Sequence, residues 1–256
     1  MISGLAKFPR LLKAACLALT LVACAGTGSA EFGVDDHSLR IGQSLPLTGA
    51  QAHLARPFLA GVGLHFDAIN ALGGIHGRRI ALVTLDDAGD PRLALANTRQ
   101  LLYQHQVFAL FGHWGRQVAA AHEAIVLAER VPLLLGGRAA STTPGTYQRY
   151  VFQLDARPWA TPSSRMYGEY VAALRTRNPA DQPDPREFEG YLEAQVLTAA
   201  LARCGRDLNR EKLVAALESL ELSGASGERV GFLPSHRMPP GGGVATLLAE
   251  GFSPAD

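Results

Sequence analysis

A regular alternation of short apolar runs with longer amphipathic stretches, from Leu39 to Leu154, limits what this chain can fold into. Residues 39–45 read as a strand broken by Thr48-Gly49. Phe58, Val62, Phe66 and Ile69 recur at helical spacing, which predicts a helix over 54–72 that Gly73-Gly74 stops. Residues 80–85 form a second β-type run. Asp90-Pro91 opens a second helix reaching about His105, with proline at a tolerated first-turn position. A third strand over 107–111 follows, then a helix marked by Val118, Ala121, Ile125 and Ala128, a fourth strand over 131–135 and a fifth over 150–154. Strands alternating with helices make βαβ units, so the expected class is α/β with a doubly wound parallel sheet. The strands are almost continuously apolar, as helices on both faces of a sheet require. In such sheets ligands bind beyond the carboxyl ends of the strands, which directs attention to residues 44–54, 112–118 and 136–143.

The rhythm changes after Leu154. Residues 155–163 carry Pro158 and Pro162 and no periodic pattern. Helical patterns return near 164–177, 188–204 and 210–220, with a Pro-rich connection over 178–185 and an apolar stripe of Leu213, Leu217 and Leu220. The tail from Gly224 is rich in Gly and Pro, with one short β-type run over 244–249. The domain organisation read from this is a targeting segment (1–30), an α/β lobe (38–154), a junction (155–163), returning helices (164–222) and a tail (223–256).

The first thirty residues read as an export signal. Lys7, Arg10 and Lys13 precede an uncharged stretch from Ala14 to Ala30, and its apolar part is too short to span a bilayer as a stable helix. Two processing readings stay open. Leu21-Val22-Ala23-Cys24 resembles a lipobox, in which Cys24 would be lipidated, and Gly28-Ser29-Ala30 offers small residues to an ordinary signal peptidase. Removing this segment takes three of 24 basic residues and none of 23 acidic ones, so the remainder carries a net charge of −2. That leaves no footprint for nucleic acid, and contact with a membrane is expected through a lipid anchor alone. Of three cysteines, Cys204 alone lies beyond the signal, so no internal disulfide is expected. It shares a helical face with Ala194, Leu197 and Leu201 and reads as a small core residue rather than a reactive thiol.

Motifs for catalysis are missing. The sequence has no phosphate loop, no dinucleotide fingerprint, no nucleophile elbow, no H-E-x-x-H and no C-x-x-C. Neither an enzyme, a cofactor nor a metal is expected. His113 and His122 lack a completing ligand and read as surface or loop histidines. Asp86-Asp87 and Asp90 read as caps that shape entry into the next helix. Two strand-end segments offer binding chemistry. Trp114 and Arg116 follow the third strand, where a guanidinium can grip a carboxylate through two parallel bonds. Ser141, Thr142 and Thr143 follow Gly136-Gly137, where hydroxyls and open amides can hold a carboxylate.

Several segments together resemble a known family, the type I periplasmic binding proteins of the branched-chain amino acid and amide class. Residues 41–49 (Ile-Gly-Gln-Ser-Leu-Pro-Leu-Thr-Gly) resemble its opening strand and loop. Phe66-Asp67-Ala68-Ile69-Asn70 and residues 73–78 (Gly-Gly-Ile-His-Gly-Arg) resemble the end of its first helix and the turn beyond. Asp86-Asp87, Asp90-Pro91, Asn97, Phe111-Gly112 and Val131-Pro132 continue the match, and Glu189-Gly190-Tyr191 with Arg210-Glu211-Lys212-Leu213 resemble its late helices.

The resemblance implies two lobes that close on a solute, and a receptor that delivers it to an inner-membrane ABC permease. Here Leu154 stands about ten residues from the returning helix, where a lobe of roughly a hundred residues is expected. The second lobe is therefore expected to be largely absent, with the excision at 155–163. The expected ligand-binding residues are Leu54, where an aromatic often stands, Trp114, Arg116 and Gln117 after the third strand, and Arg138, Ala139 and Ser141 after the fourth. The two arginines suit a carboxylate-rich solute. The expected function is solute binding for an importer of amino acids, amides or related carboxylates, in a truncated and weak form. The alternative is a degenerate single lobe, or a ligand-sensing or interaction protein, without a transport role.

Overall fold

The structure, a computed structural model, describes the backbone of residues 31–113, 116–135, 149–153, 164–223 and 229–231, with all their side chains except those of residues 113, 116–121, 153, 221–223 and 229–231. Cys24, Trp114, Arg138, Ala139, Ser141, the junction 155–163 and the run 244–249 lie outside the described residues.

The chain begins with β1 (Ser38–Leu45), α1 (Ala52–Ala71), β2 (Arg79–Asp86), α2 (Pro91–Tyr103), β3 (Ala109–His113), α3 (Arg116–Glu129), β4 (Leu133–Leu135) and β5 (Val151–Gln153). The five strands form one parallel sheet in the order β2-β1-β3-β4-β5. Strands three and four start two residues later than the apolar runs suggest, because Val107 and Val131 turn into the sheet before pairing begins. Val107 N–H bonds the Leu101 carbonyl and Val131 N–H the Val126 carbonyl, so each still completes the preceding helix end.

Helices cover both faces. Leu39, Ile41 and Leu45 of β1, Phe111 of β3 and Phe152 of β5 face α1, whose Phe58, Val62 and Phe66 fill that side. Leu110, Leu133, Leu135 and Val151 point the other way, toward Leu101 of α2 and Val126 of α3. Side chains alternate across a strand, so one β run supplies both cores. Asn70, near the end of α1, donates to the Ile80 carbonyl (2.9 Å) and accepts from its amide (2.7 Å), fixing the helix end to β2.

Three further helices, α4 (Arg165–Arg177), α5 (Pro185–Arg203) and α6 (Arg210–Glu218), return to the α1 face. Asp184 caps α5 by accepting from Arg186 and Glu187 amides, and Pro185 takes the tolerated first position, so α5 starts earlier than the apolar pattern indicates. α5 packs against α1 at backbone contact. A Cβ on Gly61 would lie 1.8 Å from the Glu187 carbonyl oxygen, and one on Gly190 would lie 2.0 Å from the Phe58 carbonyl oxygen. Tyr170 of α4 meets Phe188 and Tyr191 of α5, each with ring centroids 5.6 Å apart. Arg210 ties α6 to the sheet. Its Nε donates to the Phe108 carbonyl and Nη2 to that of Val107, each at 2.9 Å, and Nη1 to that of Glu129 at 3.4 Å.

Beyond α6, β6 (Glu221–Ser223) and β7 (Arg229–Gly231) pair antiparallel, a hairpin that the Gly-rich composition of this stretch does not announce. Cys204 is half-buried, donates to the Ala200 carbonyl at 3.2 Å, and has its thiol pushed up to about 11 by burial. That suits the inert reading.

His122 corrects the expectation of a surface position. It is fully buried under α2, with Nε2 3.2 Å from Thr98 Oγ1, and burial pushes its pKa down to about 4. His65 is likewise buried between α1 and α5 and lowered to about 4 by burial, against the opposing charge of Glu169. Thr198 Oγ1 donates to the Gln195 carbonyl (3.0 Å), so it accepts from His65 Nε2 (2.8 Å) and fixes the neutral tautomer.

Two predictions follow from this packing. Gly190→Ala forces α5 off α1, since backbone cannot yield to a Cβ at that distance, and lowers stability by about 2–4 kcal/mol in denaturant unfolding. Both histidines bind protons more weakly folded than unfolded, so their contribution is complete above pH 6.5 and lost as pH falls toward about 4. Denaturant midpoints measured across this window drop in wild type, by up to about 3 kcal/mol per histidine, and drop less in His122→Gln.

Candidate functional site

The helices after β1 and β3 leave to opposite faces of the sheet, so the strand order switches direction between these neighbours. Such a switch opens a crevice at the carboxyl edge. β1 pairs with β2 along its whole length, to Leu45↔Asp86, but its pairing with β3 runs from Ile41↔Ala109 to Gly42↔Leu110 and stops. β3 then shifts register against β4 between Phe111 and His113, with Gly112 at φ 66°. The two strands therefore part over Gln43 and Gly112.

The loop from β1 into α1 forms one wall. Its shape is set by the acidic pair that ends β2. Asp86 accepts from the amides of Leu47 (2.9 Å), Thr48 (3.2 Å) and Ala88 (2.9 Å), and from Thr48 Oγ1 (2.7 Å). Burial opposes its ionisation, but the bonds from Thr48, Ala88 and Leu47 outweigh it and hold the carboxyl below the usual range. Asp87 accepts from Ser44 Oγ and from the Gly89 amide, both at 2.9 Å, yet burial raises its pKa, helped by the Asp86 charge. Asn97 of α2 donates to Ser44 Oγ and to the Asp86 carbonyl, each at 3.0 Å. Asp90 alone of the three acids caps α2, accepting from the Arg92 amide at 2.8 Å. The expectation that Asp86-Asp87 cap that helix is corrected. Asp86 ties the neighbouring loop through Leu47 and Thr48, Asp87 bonds Ser44 of β1, and both shape the turn into α2 by accepting from the Ala88 and Gly89 amides.

Leu54 stands half-buried in the first turn of α1, beside this loop. Arg116 and Gln117 open α3 immediately beyond β3, at the same edge of the sheet; their side chains lie outside the described residues, as do Trp114, Arg138, Ala139 and Ser141. Two residues at this edge escaped the sequence reading. Arg56 in α1 donates from Nε to the Leu47 carbonyl at 3.1 Å, holding a cation over the loop. Gln43, fully buried in β1, accepts from Thr84 Oγ1 at 2.9 Å. A glutamine inside an apolar strand covered on both faces was the available signal. Among the described residues no group of His, Cys, Asp and Glu could hold a metal, and no helix is long and apolar enough to cross a membrane.

A doubly wound sheet with a switch point between β1 and β3 is an architecture that takes ligands at its carboxyl edge. The model of the periplasmic binding protein family matches residues 38–167, and the chain belongs to that family. Within it, the chain is of the type I, branched-chain amino acid class. It is 28% identical over 172 residues to Leu/Ile/Val-binding protein homolog 2 of Brucella abortus, a match covering 63% of this chain and 43% of that protein. The branched-chain amino acid transporter substrate binding protein LivJ from Streptococcus pneumoniae, in complex with isoleucine, superposes with a TM-score of 0.63 at 14% identity, covering 76% of this chain and 92% of that one. A solute binding protein of an ABC transporter from R. palustris, in complex with benzoate, superposes with a TM-score of 0.61 at 15% identity, covering 76% and 91%. By sequence the chain spans less than half the length of the curated relatives it matches. The relatives are binding proteins rather than enzymes, and the family implies an exported, periplasmic location.

Asp86→Ala releases three donors of the β1–α1 loop. Hydrogen exchange at Leu47 and Thr48 amides is expected to accelerate at least ~10-fold while Ile41 stays protected. Unchanged exchange at both amides would mean that other contacts hold the loop.

Proposed function

We propose that this protein is a solute-binding component of an ABC-type importer. It would take a small carboxylate, amino acid or amide at the β1/β3 crevice and serve an inner-membrane permease. The observation that carries the reading is the crevice itself, opened where β1–β3 pairing stops at Gly42↔Leu110 in a lobe of this family. Isoleucine and benzoate in the two neighbours share a carboxylate, which supports that solute class. Arg116 and Arg138 would hold the solute's negative charge, with Gln117, Ala139 and Ser141 supplying hydrogen bonds and Leu54 and Trp114 apolar contact.

We further infer that the chain works as a single lobe. Residues 154–164 are all that separate β5 from α4, and α4, α5 and α6 pack on the α1 face. A lone lobe buries one side of a solute, whereas pockets usually enclose most of a ligand's surface, so binding is expected to be weak. The same short connection favours a second reading, a relic lobe without a transport role. Lipidation at Cys24 would anchor the protein at the membrane, and cleavage after Ala30 would release it.

Thermal unfolding against L-isoleucine, benzoate and their amides tests the proposal. A solute that binds the native state raises the midpoint in a concentration-dependent way. Arg116→Ala with Arg138→Ala is expected to weaken binding of benzoate at least ~10-fold, the loss of one charge-assisted contact or more, with little change in the ligand-free midpoint. A cooperative melt that no compound shifts would favour the relic.

A further inference from the structure

We propose that Gln43 is the residue that reads the solute, its side-chain amide donating to an oxygen of the bound molecule at the floor of the β1/β3 crevice. The inference rests on the solute-binding reading above and adds a recognition residue with a stated preference, for an oxygen acceptor.

Three observations converge on Gln43. Its side chain is fully buried, yet Nε2 has no hydrogen-bond partner among the described residues. Its Oε1 is already engaged by Thr84 Oγ1 at 2.9 Å, so the amide is held with its donor end away from β2. That donor end lies beside Gly112 of β3, where a Cβ would come within 3.1 Å of Nε2 and 2.9 Å of Phe58 Cε1. Gly112 sits at φ 66°, in the left-handed region that favours glycine, and its missing side chain leaves room for the Phe58 ring and for Nε2 at the point where the two strands separate.

An amide donor buried without a partner is costly, and most folds remove that cost by supplying an acceptor. Here the orphan is placed at the switch point, where solutes enter sheets of this topology. A solute oxygen that reaches Nε2 recovers that cost on binding and so adds to affinity. The donor selects a carboxylate or amide oxygen. It rejects a solute that presents an ammonium group first, because two donors would then face each other in a site shielded from water.

The test is calorimetric titration of the full chain with benzoate, L-isoleucine, benzamide and L-isoleucinamide, in wild type, Gln43→Leu and Gln43→Glu. The expected result for Gln43→Leu is at least ~10-fold weaker binding of whichever of these compounds wild type takes, with a ligand-free unfolding midpoint close to that of wild type, since removing the unpaired buried donor offsets the loss of the Thr84 bond. Gln43→Glu keeps the size of the side chain and replaces the donor by an acceptor. It is expected to lose benzoate at least as severely, and it carries the test if the leucine variant does not fold. Binding by either folded variant within twofold of wild type overturns the assignment and leaves the solute-binding reading standing. A loss of affinity matched by an equal loss of ligand-free stability in both variants also overturns it, because Gln43 would then be structural. Wild type that binds none of the four compounds overturns the solute-binding reading and the role of Gln43 with it.

Discussion

The contact between α1 and α5 through Gly61 and Gly190 is the constraint on which the rest of the lobe depends. Each glycine admits the other helix's backbone at a distance no side chain would allow. α1 belongs to the first βα unit, and α5 arrives more than a hundred residues later. Joining them closes the α1 face of the sheet and buries Phe58, Phe111, Phe188 and Tyr170 in one apolar cluster. Arg210 completes the join, because its guanidinium supplies partners for carbonyls of Val107, Phe108 and Glu129 that precede β3 and end α3. A charged donor shared among several carbonyls stabilises such a join more than a neutral one would.

The site inherits its geometry from this join. α5 presses on α1 at Phe58, and Phe58 stacks on Phe111 of β3 with centroids 6.3 Å apart. That stack lies beside Gly112 and Gln43, where β1 and β3 part. On the other wall, Asp86 at the end of β2 holds Leu47 and Thr48 of the β1–α1 loop, and Asp87 accepts from Ser44 near the end of β1. Contacts of this kind set the shape of the sheet's carboxyl edge on both sides of the point where β1 and β3 part.

Much of the architecture was legible in the sequence. Apolar runs alternating with helical periods specified five parallel strands and the helices between them, because a strand buried on both faces and a helix buried on one leave different spacings. Helix starts were clearest where Asp90-Pro91 supplied both cap and first residue, and least clear for α5, whose start at Pro185 precedes its first buried phenylalanine. The β6–β7 pair was missed because residues 221–223 and 229–231 hold one large apolar side chain each, whereas the equally short β4 is all leucine. The site was legible at its edges and opaque at its floor. Strand order places residues 46–54 and 116–117 at one edge, but the bonding of Asp86 to a loop thirty-nine positions away depends on register that no local pattern records. His122 read as exposed because it lacks a completing ligand, although it falls at helical spacing with Val118 and Ile125; that Thr98 faces it from another helix is recorded in no local pattern.

The most direct test of this account is native-state hydrogen exchange on the intact protein, comparing the amides of α5 with those of β1. If the returning helices complete the lobe, Leu192 and Val196 exchange with the same opening free energy as Ile41, and Gly190→Ala lowers all three together. If Leu192 and Val196 instead exchange by a far cheaper local opening while Ile41 stays protected, α5 is an accessory to a lobe that stands without it, and the central claim is contradicted.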